Sequence, residues 1–370
     1  AARNGRQSVK FIDEFRNKDI AQGLIRRIFE VSTRPVNLME VCGTHTVSFF
    51  RYGIREMLPP HIRLLSGPGC PVCVTPNQDI DLAIALSRRD DVILVTFGDM
   101  MRVPGSTSSL QKEKAEGRTI RMVYSPLDAL RLAKEHPSKK VVFLAVGFET
   151  TSPAIAMTLL QAHREGIPNL YFLNSQKRVP PALRALLESE RVQIHGFILP
   201  GHVCTILGRD PFEFVAGEFR RPAVITGFEP LDLLQAVWML VNQIEKGQAS
   251  VEIQYTRVVR DRGNPVAVEK MEQAFRQEDA LWRGLGWIAG SGSFLREPFS
   301  ALDARRIEVD VEPSREHPGC LCGEILQAIR TPQECPLFRT VCNPDHPVGP
   351  CMVSVEGACF TYFKYHQERD

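Results

Sequence analysis

Two thiols stand two residues apart in the stretch Ser66-Gly67-Pro68-Gly69-Cys70-Pro71-Val72-Cys73-Val74-Thr75-Pro76. A Cys-x-x-Cys in a turn rich in Gly and Pro suits redox chemistry. The turn lies between a predicted strand, Ile62 to Leu65, and a predicted helix starting at Pro76. Near a helix N-terminus, the positive end of the dipole lowers the pKa of the first thiol. The second thiol is close enough to close a small, reducible disulfide. The competing reading is half of a zinc knuckle, but no second Cys-x-x-Cys and no His pair lies nearby at zinc spacing.

Cys42-Gly43-Thr44-His45 follows another predicted strand. A thiol and an imidazole three residues apart can bind one metal ion or form an activated nucleophile. The plainer reading is a buried Cys beside a capping His. A third group crowds the C-terminus: Cys320, Cys322, Cys335, Cys342, Cys351 and Cys359. Fourteen, six and sixteen residues separate Cys320, Cys335, Cys342 and Cys359 in turn. Four thiolates suit a 4Fe–4S cluster or a zinc ion, and spacing does not choose between them. Cys322 and Cys351 are then spare. His202 and Glu149 stand in strand-end loops where either is functional or simply hydrogen-bonded, and Cys204 reads as packing.

The chain has 370 residues, a net charge of +2, 44% hydrophobic and 24% charged residues. That length exceeds one ordinary core, so two or three domains are expected. No basic run exceeds a few residues, which argues against nucleic acid as the main partner. No apolar run is long enough to span a bilayer and no signal-peptide pattern is seen. A cytoplasmic protein is therefore expected. In a reducing compartment its ten cysteines read as metal ligands or redox thiols rather than structural disulfides.

The elements that must position these thiols alternate. Ala1 to Ser8 reads as a tail, and Lys10 to Val31 as an amphipathic helix carrying Phe11, Ile12, Phe15, Ile20, Leu24, Ile25 and Phe29. Short apolar runs follow at Val36–Val41, Ile62–Leu65, Val92–Phe97, Ile120–Val123, Val141–Val146, Leu170–Leu173, Ile194–Leu199 and Val224–Thr226. Thr75-Pro76, Ser125-Pro126 and Ser152-Pro153 announce helices by a cap and a proline, and Gly166 and Gly247 are placed to end them. The fold class is α/β with mostly parallel sheet, in two similar halves of about four strands. The segments Val92 to Gly105 and Val141 to Pro153 echo one another weakly. In such sheets chemistry gathers at the C-terminal strand ends, which here carry Cys42, Cys70, Asp99, Glu149, His202 and Glu229. Past Val251 the alternation stops. Gln254 to Val259 reads as a strand and Val268 to Trp282 as a helix. The Cys-rich remainder would need a metal to hold it.

Taken together these motifs resemble the HypD family of hydrogenase maturation proteins. Beside the three thiol groups, the matching stretches include Thr96-Phe97-Gly98-Asp99, Gly147-Phe148-Glu149-Thr150-Thr151, Pro200-Gly201-His202-Val203, Thr226-Gly227-Phe228-Glu229-Pro230 and Met352 to Cys359. The resemblance implies a scaffold on which the Fe(CN)2CO unit of nickel–iron hydrogenases is assembled. It implies an iron thiol at Cys42 with His45 in the same motif, a redox dithiol at Cys70 and Cys73, and 4Fe–4S ligands at Cys320, Cys335, Cys342 and Cys359. It also implies a small HypC-type partner sharing the iron and a HypE-type cyanide donor, the chain being a monomer within that hetero-complex.

The expected organisation is two similar parallel-sheet α/β domains plus a third, cysteine-rich iron–sulfur domain. Their bounds are 36–124, completed by about 222–247; 125–221; and 9–35 joined to 248–370. The expected chemistry is an electron relay from cluster to dithiol to iron, which requires the C-terminal segment to fold back toward Cys70 and Cys73. A thiol–disulfide reductase drawing on an iron–sulfur cluster is the rival, and leaves Cys42 to His45 idle. A zinc-stabilised binding protein leaves the redox turn unexplained.

Overall fold

The computed structural model describes residues 13–189 and 193–366. It has two parallel sheets. The first runs in the order β2-β1-β7-β8-β9, from Ile62–Ser66, Val36–Glu40, Gly196–Pro200, Ala223–Thr226 and Val251–Ile253. The second runs β4-β3-β5-β6, from Ile120–Met122, Val92–Thr96, Lys140–Ala145 and Leu170–Asn174. Their central strands are continuous apolar runs such as Val92-Ile93-Leu94-Val95, because helices cover both faces. Among the described residues, no helix is long and apolar enough to cross a membrane.

The strands divide differently from the expected 36–124 and 125–221. The chain leaves the first sheet after β2, builds the whole second sheet, and returns at β7, which pairs with β1 through Leu38↔Gly196. β3 pairs with β5 as well as with β4. Local pattern marks a buried strand but says nothing of its neighbour, since every apolar run satisfies the same period. The echoing segments around β3 and β5 are thus neighbours in one sheet, not copies in two.

The N-terminal helix spans Lys18–Val31, capped by Asn17, whose side chain accepts from the Asp19 and Ile20 amides. Asp13–Arg16 forms a 3-10 turn before it. The expected starts of the helix at Lys10, Phe11 and Ile12, and the tail Ala1 to Ser8, lie outside the described residues. Among the described residues, the buried face of this helix meets the first sheet, and Phe15 before it packs under the Arg257 guanidinium at 4.0 Å. Ile28, with Leu24 and Ile25, packs on Leu38, Phe49 and the helix Pro230–Glu245, in the core on one face of the first sheet. Arg16 and Glu229 tie its start to that helix at 2.6 Å.

Two further expectations change. Gln254 to Val259 is not a strand; β9 is Val251–Ile253, paired with Ala223–Ile225. The expected helix Val268 to Trp282 is a helix over Pro265–Ala274 followed by a strand, β10, Phe275–Trp282. β10 pairs antiparallel with β11, Gly286–Leu295. Partnership with β11 decides this segment, because strand preference depends on what lies across the ladder. The Cys-rich region, in short helical turns, buries Cys322, Cys335, Cys342, Cys351 and Cys359 in one continuous core with β1, β3, β7 and the dithiol loop.

Candidate functional site

β1 and β2 are adjacent and parallel, so the loops after them emerge side by side. Cys42 caps the helix Gly43–Arg51, and Cys70 caps the four-residue turn Pro71–Val74. The Gly43 amide donates to the Gly69 carbonyl at 3.0 Å. A β-carbon at Gly69 would lie 2.4 Å from the Cys42 α-carbon, so only glycine permits this contact. Redox turn and candidate iron thiol are thereby locked backbone to backbone.

Half-buried Cys42 opens onto a cleft of about 500 Å³, lined by residues from both sheets, including Thr44, Phe148, Thr150, His202, Tyr255 and Glu356. Burial first, then the charge of Glu356, pushes its thiol up to about 12, against backbone amides of His45 and Thr44 that favour the thiolate. Cys42 therefore rests protonated at neutral pH, and a metal ion binding there displaces that proton. Glu356 was not singled out in the sequence. Its Oε1 accepts from Thr44 Oγ1 at 2.5 Å, bringing the C-terminal segment onto the Cys42 helix.

His45 is fully buried and does not line this cleft. Its Nε2 donates to the Gly227 carbonyl at 3.0 Å, leaving Nδ1 buried without a partner. Burial lowers it to about 4, so it is neutral. His45 and His202 both stack on the Phe228 ring, with centroids at 4.5 and 4.0 Å. Burial also lowers His202, which does face the cleft. Glu149 turns away from the cleft; both its oxygens accept from the Val179 amide, at 3.0 and 3.2 Å, and burial raises it to about 7. Cys204 is wholly buried in the core.

All ten cysteines are free thiols. Cys70 Sγ accepts from the Cys73 amide at 3.3 Å. The helix Cys70 caps is one short turn; the eleven-residue helix begins at Asn77. Cys73 is wholly buried, and that burial pushes its thiol well up. The C-terminal segment folds back onto it. Cys322 Sγ and Cys351 Sγ are hydrogen-bonded at 2.8 Å, and the Cys73 and Cys320 sulfurs lie close enough to shift Cys351 and Cys322 respectively. The two cysteines that ligand counting leaves spare thus stand between the dithiol and the remaining thiols. Their only sequence signal is the surplus of six cysteines over four.

Cys320, Cys335, Cys342 and Cys359 line one small apolar cavity with Leu337, Phe338 and Met352, and Cys322 and Cys351 line the same cavity. Gly349 closes against it, where a β-carbon would sit 2.9 Å from Cys320 Sγ. The Val348 amide donates to Cys342 Sγ at 3.4 Å. Among the described residues, no three His, Cys, Asp or Glu side chains converge as a single ion requires. Six thiols around one cavity are a donor set that a 4Fe–4S cluster or a zinc ion can draw on.

A family model named HypD, described as the Hydrogenase formation hypA family, matches residues 19–366. The chain is 46% identical to a protein of Bradyrhizobium diazoefficiens named Hydrogenase maturation factor HypD2, over 98% of each chain. It is 44% identical to Hydrogenase maturation factor HypD of Rhizobium leguminosarum bv. viciae, over 98% of this chain and 97% of that protein. It is 43% identical to Hydrogenase maturation factor HypD of Escherichia coli, over 97% and 99%.

Proposed function

The chain belongs to the HypD family and has a role in hydrogenase maturation, and we propose that it performs this role as a scaffold on which an iron carrying cyanide and CO is assembled. In this reading Cys42 holds the cargo iron in the cleft. A small HypC-type partner supplies a second ligand, and a HypE-type protein delivers cyanide. Thiolate is a fitting ligand for the low-spin ferrous state that cyanide and CO impose. The observation that supports the proposal is the contact of Gly69 with Cys42, which holds the loop before Cys70 against a half-buried thiol that opens onto a cleft. The setting is the reducing cytoplasm, where disulfides are transient and redox-active rather than structural.

Cys320, Cys335, Cys342 and Cys359 would hold a 4Fe–4S cluster. When bound, such a cluster supplies electrons one at a time. The chain's own thiols handle pairs. With Cys70 and Cys73 joined as a disulfide, the Cys351 thiolate attacks the Cys73 sulfur, and Cys70 leaves and takes a proton. Cys322 then loses its proton and attacks Cys351, releasing Cys73 to take that proton. The net result is a dithiol at Cys70/Cys73 and a disulfide at Cys322/Cys351, with two electrons and two protons moved toward the cleft. Burial around these sulfurs excludes water from the exchange.

Infrared spectroscopy tests the scaffold. The protein is purified without oxygen after co-expression with its small partner, and stretches of metal-bound cyanide and CO are sought. Bands that vanish in Cys42→Ala are the expected result. Their absence from a sample holding iron and sulfide would leave the thiol–disulfide reductase as the better reading.

A further inference from the structure

A carboxylate is buried at the end of β1, just before Cys42. Glu40 has 0% of its side chain exposed. Its Oε2 accepts from Thr46 Oγ1 at 2.6 Å, on the helix that Cys42 caps. Its Oε1 accepts from Arg55 Nη2 at 2.5 Å. Its backbone carbonyl accepts from the Gly67 amide at 2.9 Å, where the dithiol loop begins. One residue thus holds the Cys42 helix through its side chain and the loop of Cys70 through its backbone.

Arg55 carries the connection on to the C-terminal segment. It lies in the short helix Ile54–Met57 with 14% of its side chain exposed. Nη1 donates to the Leu64 carbonyl of β2 at 2.8 Å. Its Cζ lies 4.4 Å from the centroid of the Phe50 ring and 5.8 Å from that of Tyr362. The two rings meet edge-on at 4.7 Å. Phe50 stands one turn beyond Thr46 on the Cys42 helix, and Tyr362 stands one turn beyond Cys359 on the helix Ala358–Tyr365. At the other end of the same two helices a β-carbon on Gly43 would fall 2.4 Å from the Glu356 carbonyl oxygen. The ion pair therefore sits where β1, β2, the Cys42 helix and the Cys359 helix meet.

We propose that Glu40 and Arg55 are positioning residues, whose buried ion pair sets the placement of Cys42 against the dithiol loop and the Cys359 helix. For iron retention this rests on reading Cys42 as the thiol that holds the cargo iron. Neither residue lines the cleft of Cys42; both act through the elements that carry the thiols. An ion pair taken out of water adds little net stability, because desolvation offsets its attraction. What it supplies is direction: charge-assisted hydrogen bonds are short and fix the elements they join. A metal-binding side chain depends on such contacts behind it for its orientation.

The test uses the full chain, co-expressed with its small partner and purified without oxygen, with iron and acid-labile sulfide measured first. The key variant combines Glu40→Gln with Arg55→Met, which removes both charges and keeps most of the volume. It should melt near the parent and keep its sulfide, while the infrared bands of metal-bound cyanide and CO fall about tenfold. Arg55→Lys, which keeps the charge beside Glu40, should retain most of them. Unchanged bands in the folded double variant, or bands lost only in step with sulfide, overturn the proposal. Should the double variant not fold, Thr46→Val decides, since it cuts only the Glu40 bond to the Cys42 helix: weakened bands with full sulfide uphold the proposal and unchanged bands overturn it. A parent that holds iron and sulfide but shows no bands sinks the scaffold reading instead. Placement is then read from the relative alkylation rates of Cys42 and Cys70; a shifted ratio in the same variants upholds the positioning role and an equal ratio overturns it.

Discussion

Gly69 lies against the backbone of Cys42, with the Gly43 amide donating to the Gly69 carbonyl at 3.0 Å. Adding one methyl group there forces two loops apart. Gly69→Ala should cost about 1–3 kcal/mol and weaken iron retention at Cys42 while sparing the cluster. Thermal melting and metal analysis check this. Gly217→Ala, where a β-carbon meets nothing within 4 Å, is the near-neutral control.

Iron and cluster should separate cleanly by substitution. Cys42→Ala should lose the cyanide and CO bands but keep acid-labile sulfide. Cys335→Ala should lose the sulfide. The opposite pattern would exchange the two assignments.

Cys322 and Cys351, in sulfur contact at 2.8 Å, should be needed for exchange rather than for ligation. Cys322→Ser and Cys351→Ser should retain iron and sulfide near wild-type levels. Under limiting reductant, alkylation and mass analysis should find Cys70 and Cys73 oxidised in both variants and reduced in the parent. Loss of the cluster from either variant would make that residue a ligand.

Glu149 makes stability depend on pH. Burial raises its carboxyl from the ordinary 4.5 to about 7, so the folded chain binds a proton that the unfolded chain releases sooner. Its contribution is full below about pH 4.5 and is lost as pH rises through about 7. The difference amounts to roughly 3 kcal/mol at one unit per 1.36 kcal/mol. Glu149→Gln keeps an acceptor for the Val179 amide and stays neutral. Its denaturation midpoint should fall less than the parent's between pH 5 and 8, and parallel profiles would refute the assignment.

Much of the site was legible in order along the chain. Short apolar runs ended by Cys42-Gly43-Thr44-His45 and by Gly67-Pro68-Gly69-Cys70 already say that two thiols stand at strand ends, because an apolar run of that length needs a sheet and its C-terminal loop opens to solvent. Six cysteines within the last fifty or so residues likewise announce a thiol centre. These are local facts, carried by residue type and spacing.

Pairing and depth were decided by the tertiary structure alone. Nothing local tells β3 to lie beside β5 or β7 to return beside β1, since any buried strand fits any buried neighbour until the whole chain is placed. Residues 275–282 became a strand only because β11 lies across from them. Cys322 and Cys351, twenty-nine positions apart, became partners, and Glu356 became a neighbour of Cys42, through contacts that no spacing encodes. Whether a histidine faces a cleft, as His202 does, or hides behind it, as His45 does, is set by which loop closes over it. Burial then decided the chemistry, because desolvation of Cys42, His45 and Glu149 exists only once the core has formed.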